Sequence, residues 1–303
     1  MNKAQQKRFD SLYQQHLNAL LRQGKSKATI DAYSRAIRRI TAFFDCCPEK
    51  LSGDDLKDYF TSLIKSHSWS TVKLDRNGLQ FFYKHVLGKQ WQWVDIIKPP
   101  QVRTLPDIFT SQEIANVINN TREIRYQVYI LTCYSMGLRL GEALNLKVGD
   151  IDSELMRVHI RRGKHHKDRY VTLPKTTLLA LRQYWLTHRH KSLIFPGGTT
   201  PEKRSNAKSP MDRGGLQKSF KVIVLSCSIH KKVSIHSLRH SYGAHLVEAG
   251  LNLRAIQKQF GHACPKTTAL YTQLTEPAEQ NARVIIDSLI SALPISLDGE
   301  ISS

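Results

Sequence analysis

"SIHSLRHSYGAHLVEAG", residues 234–250, decides what the second half of this chain builds. Leu238, Tyr242, His245 and Leu246 recur at three- and four-residue steps, so they share one packing side of a helix that Gly250 closes. His236 and Arg239 stand three apart in the first turn and share another face. Backbone N–H groups at a helix start lack helical partners and attract anions, and a His with an Arg strengthens that attraction. A phosphate suits such a corner. Taken alone, the same pattern also fits a His that merely caps the helix or packs against it.

The neighbouring segments add chemistry piece by piece. In "NLRAIQKQFGHACPKTTALYTQL", residues 252–274, Asn252 can cap a short helix packed through Leu253, Ile256 and Phe260, and Gly261 ends it. His262 follows directly, and Tyr271 comes nine residues later. A lone Tyr in a helix is ordinarily core with its hydroxyl satisfied. Upstream, "GLRLGEALNLKVGDID", residues 137–152, puts Arg139 just after a glycine break, with Glu142 three residues on to orient the guanidinium. Singly, a structural ion pair is the plainer reading of those two. In "LMRVHIRRGKHHKDRYVTLP", residues 155–174, the period changes: Val158 and Ile160 alternate with Arg157, His159 and Arg161, then Val171 and Leu173 resume beyond a polar gap. That pattern predicts a β-hairpin with a basic turn. Residues 197–215 are turn-rich and read as a mobile loop. His240 and His245 read as packing positions, while His165, His166, His188 and His190 fall in basic loops without a carboxylate cluster, so no metal site is expected.

The first hundred residues read as helices only. Phe9, Leu12, His16 or Leu17, and Leu20 make one stripe; Ile30, Tyr33, Ile37, Ile40 and Phe44 make a second. Ser52 and Asp55 form a capping pattern ahead of Leu56, Tyr59, Phe60 and Leu63, and Val72, Leu79, Phe82 and Val86 supply a fourth helix. "KPPQVRTLP", residues 98–106, then breaks the pattern, because proline lacks the amide donor and restricts its predecessor. The domain boundary is placed there. A new capping box, Thr110 with Glu113, opens the second domain.

The second helix leaves Lys25, Lys27, Arg35, Arg38 and Arg39 on its outer side, and the chain as a whole has 45 Lys and Arg against 25 Asp and Glu, a formal charge of +20. A charge run is ordinarily a solvated face, but an excess this large points to a nucleic-acid partner. No apolar run is long enough to span a membrane, and the N-terminus shows no signal-peptide core. Five cysteines, odd in number and without metal-ligand spacing, fit free thiols in a reducing cytoplasm.

In order and spacing, these segments resemble the tyrosine recombinases, also called phage integrases, which include the Xer recombinases. Residues 137–152 resemble the family's first arginine box, 236–246 its His-x-x-Arg-His box, and 260–274 the box that ends in the nucleophile. Residues 161–174 resemble the hairpin whose turn carries a catalytic lysine. The resemblance spans nearly the whole chain. It implies a mainly α fold with a small antiparallel β-sheet: a helical, SAM-like core-binding domain over 1–97, a linker over 98–108, and a catalytic domain over 109–303. The two domains would clamp DNA as a C. Tyr271 would be the nucleophile, Arg139 and Arg239 would hold the phosphate, and Lys164 would protonate the leaving 5′-oxygen, with Lys167 its competitor. His236 would move the tyrosine proton, His262 would hydrogen-bond the phosphate, and the cations would favour the Tyr271 phenolate. No cofactor is implied. Ala282, Ile285, Ile286, Leu289 and Leu293 form a stripe on a C-terminal helix, about 278–293, that would pass to a neighbour in a homotetramer on two duplexes. A mobile-element integrase, a chromosome-dimer resolvase of Xer type and a non-catalytic DNA-binding regulator remain the competing roles, with an accessory or partner recombinase left open.

Overall fold

Each of the four α-helices described in the N-terminal half starts on a side chain that accepts from the backbone N–H three residues on. The computed structural model describes residues 1–91, 105–161, 168–262 and 264–273. Asn2, Ser26, Ser52 and Ser68 cap α1 (Lys3–Arg22), α2 (Lys27–Phe44), α3 (Gly53–Ser66) and α4 (Trp69–His85). Their inner faces make one core through Leu12, Ile37, Ile40, Leu56, Tyr59, Phe60, Leu79 and Phe82. Of the two candidates on α1, His16 is the buried one, wedged between the rings of Phe81 and Phe82. Asp75 is also buried, and it accepts from Tyr59 Oη and Arg39 Nη1, both at 2.6 Å. One carboxylate thereby ties α2, α3 and α4 together. Arg39 therefore differs from its neighbours: it faces the core, while Lys25, Lys27, Arg35 and Arg38 are exposed.

The chain divides into two compact units, Met1–Arg103 and Thr104–Ser303. The division falls within the proline-rich stretch 98–108, of which only 105–108 lie among the described residues.

In the second unit, Thr110 and Glu113 form a reciprocal capping box at α5 (Ser111–Asn119). α6 (Ile124–Ser135) runs through the centre of the core, and the short α7 (Leu140–Leu144) follows it. β1 (Ile151–Asp152), β2 (Arg157–Ile160) and β3 (Arg169–Thr172) form an antiparallel sheet in sequence order. Val158 pairs with Val171 and Ile160 with Arg169. Val158, Ile160, Val171 and Leu173 are buried, as the alternation requires. α8 (Lys175–Leu186) closes the first part of the core.

Residues 197–215 are not one loop. α9 (Pro201–Ser205) interrupts them, and α10 (Arg213–Ser226) begins inside them. Arg204, only 8% exposed, donates to the Gly198 and Thr199 carbonyls and folds the preceding turn over itself. His188 and His190 are likewise buried rather than set in an exposed basic loop. His190 Nδ1 accepts from the Ser192 and Leu193 N–H groups, at 3.0 and 2.8 Å, and so shapes the turn after α8. α11 (Ile235–Glu248), α12 (Leu253–Phe260) and α13 (Pro265–Ala269) complete the described part of this unit. Leu253 is exposed, so α12 packs through Ile256 and Phe260 alone.

Candidate active site

Arg239 gathers three segments that are far apart in sequence. It lies on the buried side of α11 and is 1% exposed. Its Nη1 donates to the Gly137 carbonyl, its Nη2 donates to the Phe260 carbonyl at 2.7 Å, and the guanidinium sits 4.3 Å over the Phe260 ring. Gly137 adopts φ +59°, and a Cβ there would stand 2.7 Å from the Tyr242 ring, so the break before Arg139 needs glycine. Burial, and then Arg139, press the Arg239 pKa down to about 9, which still leaves it charged at neutral pH.

His262 lies against this guanidinium, 3.1 Å from Arg239 Nη2. A guanidinium only donates, so His262 Nε2 accepts, and Nδ1 carries the proton toward Thr268 Oγ1 at 2.9 Å. Burial, then Arg239, lower the imidazole to about 3 and keep it neutral. His262 thus orients Arg239 here, with its Nε2 already engaged.

Arg139 is half-buried beside Glu142. Its N–H donates to Glu142 Oε2 at 2.9 Å and its Nη1 to Oε1 at 2.7 Å. The structural ion pair therefore exists, but it is not exclusive. Arg169, from β3, forks onto the same carboxylate with Nη1 to Oε1 at 2.9 Å and Nη2 to Oε2 at 2.7 Å. Arg239 Nη1 stands 4.0 Å from Oε2. Burial alone would raise the Glu142 pKa, but Arg169 and then Arg139 bring it to about 2. Three guanidiniums share one carboxylate, so the cluster keeps a net positive charge. Beside it, a cleft of about 700 Å³ is lined by Arg139, Glu142, Lys147, His159 and Arg161.

Tyr271 lies in the turn Leu270–Gln273 after α13 and is 1% exposed. Its ring centroid lies 5.4 Å from that of Phe260, 6.0 Å from that of His240 and 6.2 Å from that of His262. The ring rests on α11 at Gly243, where a Cβ would come within 2.6 Å of Tyr271 Cζ. The expected phenolate is not favoured here: burial raises the Tyr271 pKa, and Arg239 and Arg139 only partly offset it. His236 opens to solvent in the first turn of α11, 4.6 Å ring to ring from His240. The crowded position, then Arg239 and Arg139, lower its pKa.

Arg139, Arg239, His236, His262 and Tyr271 are thus brought to one corner of the second unit. Lys164 and Lys167 lie outside the described residues, as does the stripe at 278–293. In the first unit, Lys25, Lys27 and Arg38 have no ion pair among the described residues, whereas Arg35 pairs with Asp31 at 3.0 Å and Arg39 with Asp75. Lys27 opens α2, whose first turn contains no acid, so positive charge adds to the positive helix end there. Sequence reasoning missed Arg169, Thr268 and Gly243. The signal for Arg169 was present: it shares parity with Val171 and Leu173, and a cation on the buried face of a strand calls for a buried partner.

Among the described residues no group of three or more His, Cys, Asp or Glu could hold a metal, and no helix is long and apolar enough to cross a membrane.

Comparison with known proteins places this geometry in a context. Residues 107–277 match the model of the phage integrase family, and residues 12–93 match that of the phage integrase N-terminal SAM-like domain. A putative integrase/recombinase, y4qK, from Sinorhizobium fredii is 33% identical over 247 residues, covering 80% of this chain and 78% of that protein. The tyrosine recombinase XerA of Pyrococcus horikoshii is 31% identical over 258 residues, covering 84% and 85%. Among solved structures, the Tn1549 transposon integrase with transposon right end DNA superposes with a TM-score of 0.67 at 17% identity, covering 92% and 99%. At that identity the likeness speaks for the fold.

Proposed function

Because the chain belongs to the phage integrase family, we propose that it is a site-specific DNA recombinase that cuts and rejoins strands through a 3′-phosphotyrosyl ester on Tyr271. The observation that carries this reading is the convergence of Arg139, Arg239 and His262 on the seat of Tyr271. The Tyr271 oxygen forms a bond to phosphorus while the bond to the 5′-oxygen breaks, so one ester replaces another and no ATP is consumed. Charge grows on the non-bridging oxygens, and two guanidiniums can each donate paired hydrogen bonds to them. His236 takes the phenol proton, and Lys164 returns a proton to the departing 5′-oxygen. Once His262 turns its ring from Arg239, it hydrogen-bonds the phosphate.

Tyr271 is enclosed, so attack requires the ring to leave its seat on α11. Lys25, Lys27 and Arg38, without an ion pair among the described residues, would lie against backbone phosphates, and Arg35 would join them by releasing Asp31. Arg39 would not, because Asp75 holds it. The assembly we infer is a cytoplasmic homotetramer on two duplexes, with the apolar 278–293 segment passed between neighbours, acting for a mobile element. The XerA relative favours a second reading, resolution of chromosome dimers. A purely regulatory role is disfavoured because the charged corner and the tyrosine are assembled together.

Tyr271→Phe removes one hydroxyl and keeps the ring that packs on α11. With a nicked, radiolabelled duplex, the wild-type chain is expected to give a labelled covalent complex and Tyr271→Phe none, at equal DNA affinity. A labelled protein band with Tyr271→Phe would refute the assignment.

A further inference from the structure

Arg169 has no place in the chemistry described above, yet it bonds to two segments that carry that chemistry. It begins β3, five residues after Lys164 in sequence. Its Nη1 and Nη2 fork onto Glu142, the carboxylate that orients Arg139. Its Nε donates to the Gln259 carbonyl at 3.1 Å, in the last turn of α12, three residues before His262. Arg169 is 9% and Glu142 8% exposed as side chains, so both are largely withdrawn from water. Three of the five Arg169 N–H groups go to protein acceptors, so its bonds serve the protein's own segments.

Glu142 has room for about four donors, and four reach it: the Arg139 N–H, Arg139 Nη1, and both Arg169 Nη atoms. Without Arg169, two lone pairs of a buried carboxylate would be open. Arg139 already bonds this carboxylate, and Arg239 Nη1 stands 4.0 Å from it. A buried carboxylate facing them would pull both guanidiniums toward itself, away from a phosphate, and would cancel part of their charge. We propose that Arg169 is a positioning residue: it saturates Glu142, so that the carboxylate aims Arg139 without competing with DNA for the arginine pair. The same side chain locks β3 to α12, setting the first arginine and the His262 segment in one register. This inference rests on the recombinase reading.

The test uses the full chain and a nicked duplex selected from random sequence for tight binding to it. Arg169→Lys keeps the charge and the stem but cannot fork. It is expected to bind within about threefold of wild type and to cleave about 10²-fold more slowly, the cost of a misaimed group. In a Glu142→Gln background the same change should cost less than about threefold, since both act on Arg139 through one carboxylate. A methylphosphonate at the scissile position carries no charge for the arginines to neutralise, so there the Arg169→Lys penalty should fall below about tenfold. A penalty equal on both substrates and independent of Glu142, or a wild-type rate, overturns the inference. If Arg169→Lys lacks a cooperative melt, Arg169→Gln is judged by the same ratios, and failure of both to fold overturns it in favour of a purely structural role. A wild-type chain that cleaves neither substrate overturns the recombinase reading itself, and the inference with it.

Discussion

Gly243 sets how closely the Tyr271 ring can rest on α11. A Cβ there would lie 2.6 to 2.8 Å from three ring carbons, too close for any contact to persist. Alanine is the better helix former by about 1 kcal/mol, so Gly243→Ala should spare the helix while evicting the ring. The expected result, by peptide mapping after tetranitromethane treatment, is that Tyr271 is nitrated in Gly243→Ala and protected in the wild type. Equal protection in both chains would show that the seat does not depend on this glycine. At this scale the sequence revealed which residues carry the chemistry but not their state. The nine-residue step from His262 to Tyr271 was visible, whereas burial of the ring depends on Phe260, His240 and Gly243, which meet only in three dimensions. The phenolate expectation failed for that reason: it counted the cations and left out desolvation, which here has the larger effect.

At the scale of elements, periodicity located the helices and the hairpin well. α3 buries the four residues that its spacing picks out, and the alternation around residues 157–173 gives the strands. What the pattern could not separate was one face of a charged helix from its flank. Arg38 and Arg39 are adjacent in α2, yet Arg38 is exposed and Arg39 bonds buried Asp75, thirty-six residues away. The two should therefore fail differently. Arg38→Ala is expected to leave the melting temperature in place and to reduce the slope of log affinity against log salt by about 0.9, one phosphate contact. Arg39→Ala is expected to destabilise the chain by about 3 kcal/mol, because Asp75 is left charged and short of a donor. Chemical denaturation and binding across a salt series measure both, and an unchanged midpoint for Arg39→Ala would contradict the placement. The helix within 197–215 escaped notice because its five residues carry no apolar stripe; it is held by the Arg204 clamp on neighbouring carbonyls.

Over the whole molecule, neutral histidines are buried in both units. Burial lowers His16, His188 and His240 to about 4 and His262 to about 3. In the unfolded chain each would titrate near 6.5, so between that pH and about 4 the unfolded state binds more protons. Their stabilising contribution is whole above about 6.5 and is lost as pH falls toward 4, ahead of Glu142, whose contribution goes only between about 4.5 and 2. His16→Leu keeps an apolar side chain between Phe81 and Phe82, and the full chain carrying it should lose less stability between pH 7 and 5 than the wild type; an equal loss would exclude His16 as a contributor. The charge of +20, the free cations of α2 and the guanidinium-rich corner of the second unit fit one anionic partner, and the central claim is what happens to that partner at Tyr271. The most direct measurement is to trap the wild-type chain on a nicked duplex, digest protein and DNA, and identify the nucleotide-bearing peptide by mass spectrometry. The account predicts a peptide containing Tyr271 joined to a 3′-phosphate, with a free 5′-hydroxyl on the released strand; a linkage at any other residue, or to a 5′-phosphate, would contradict it.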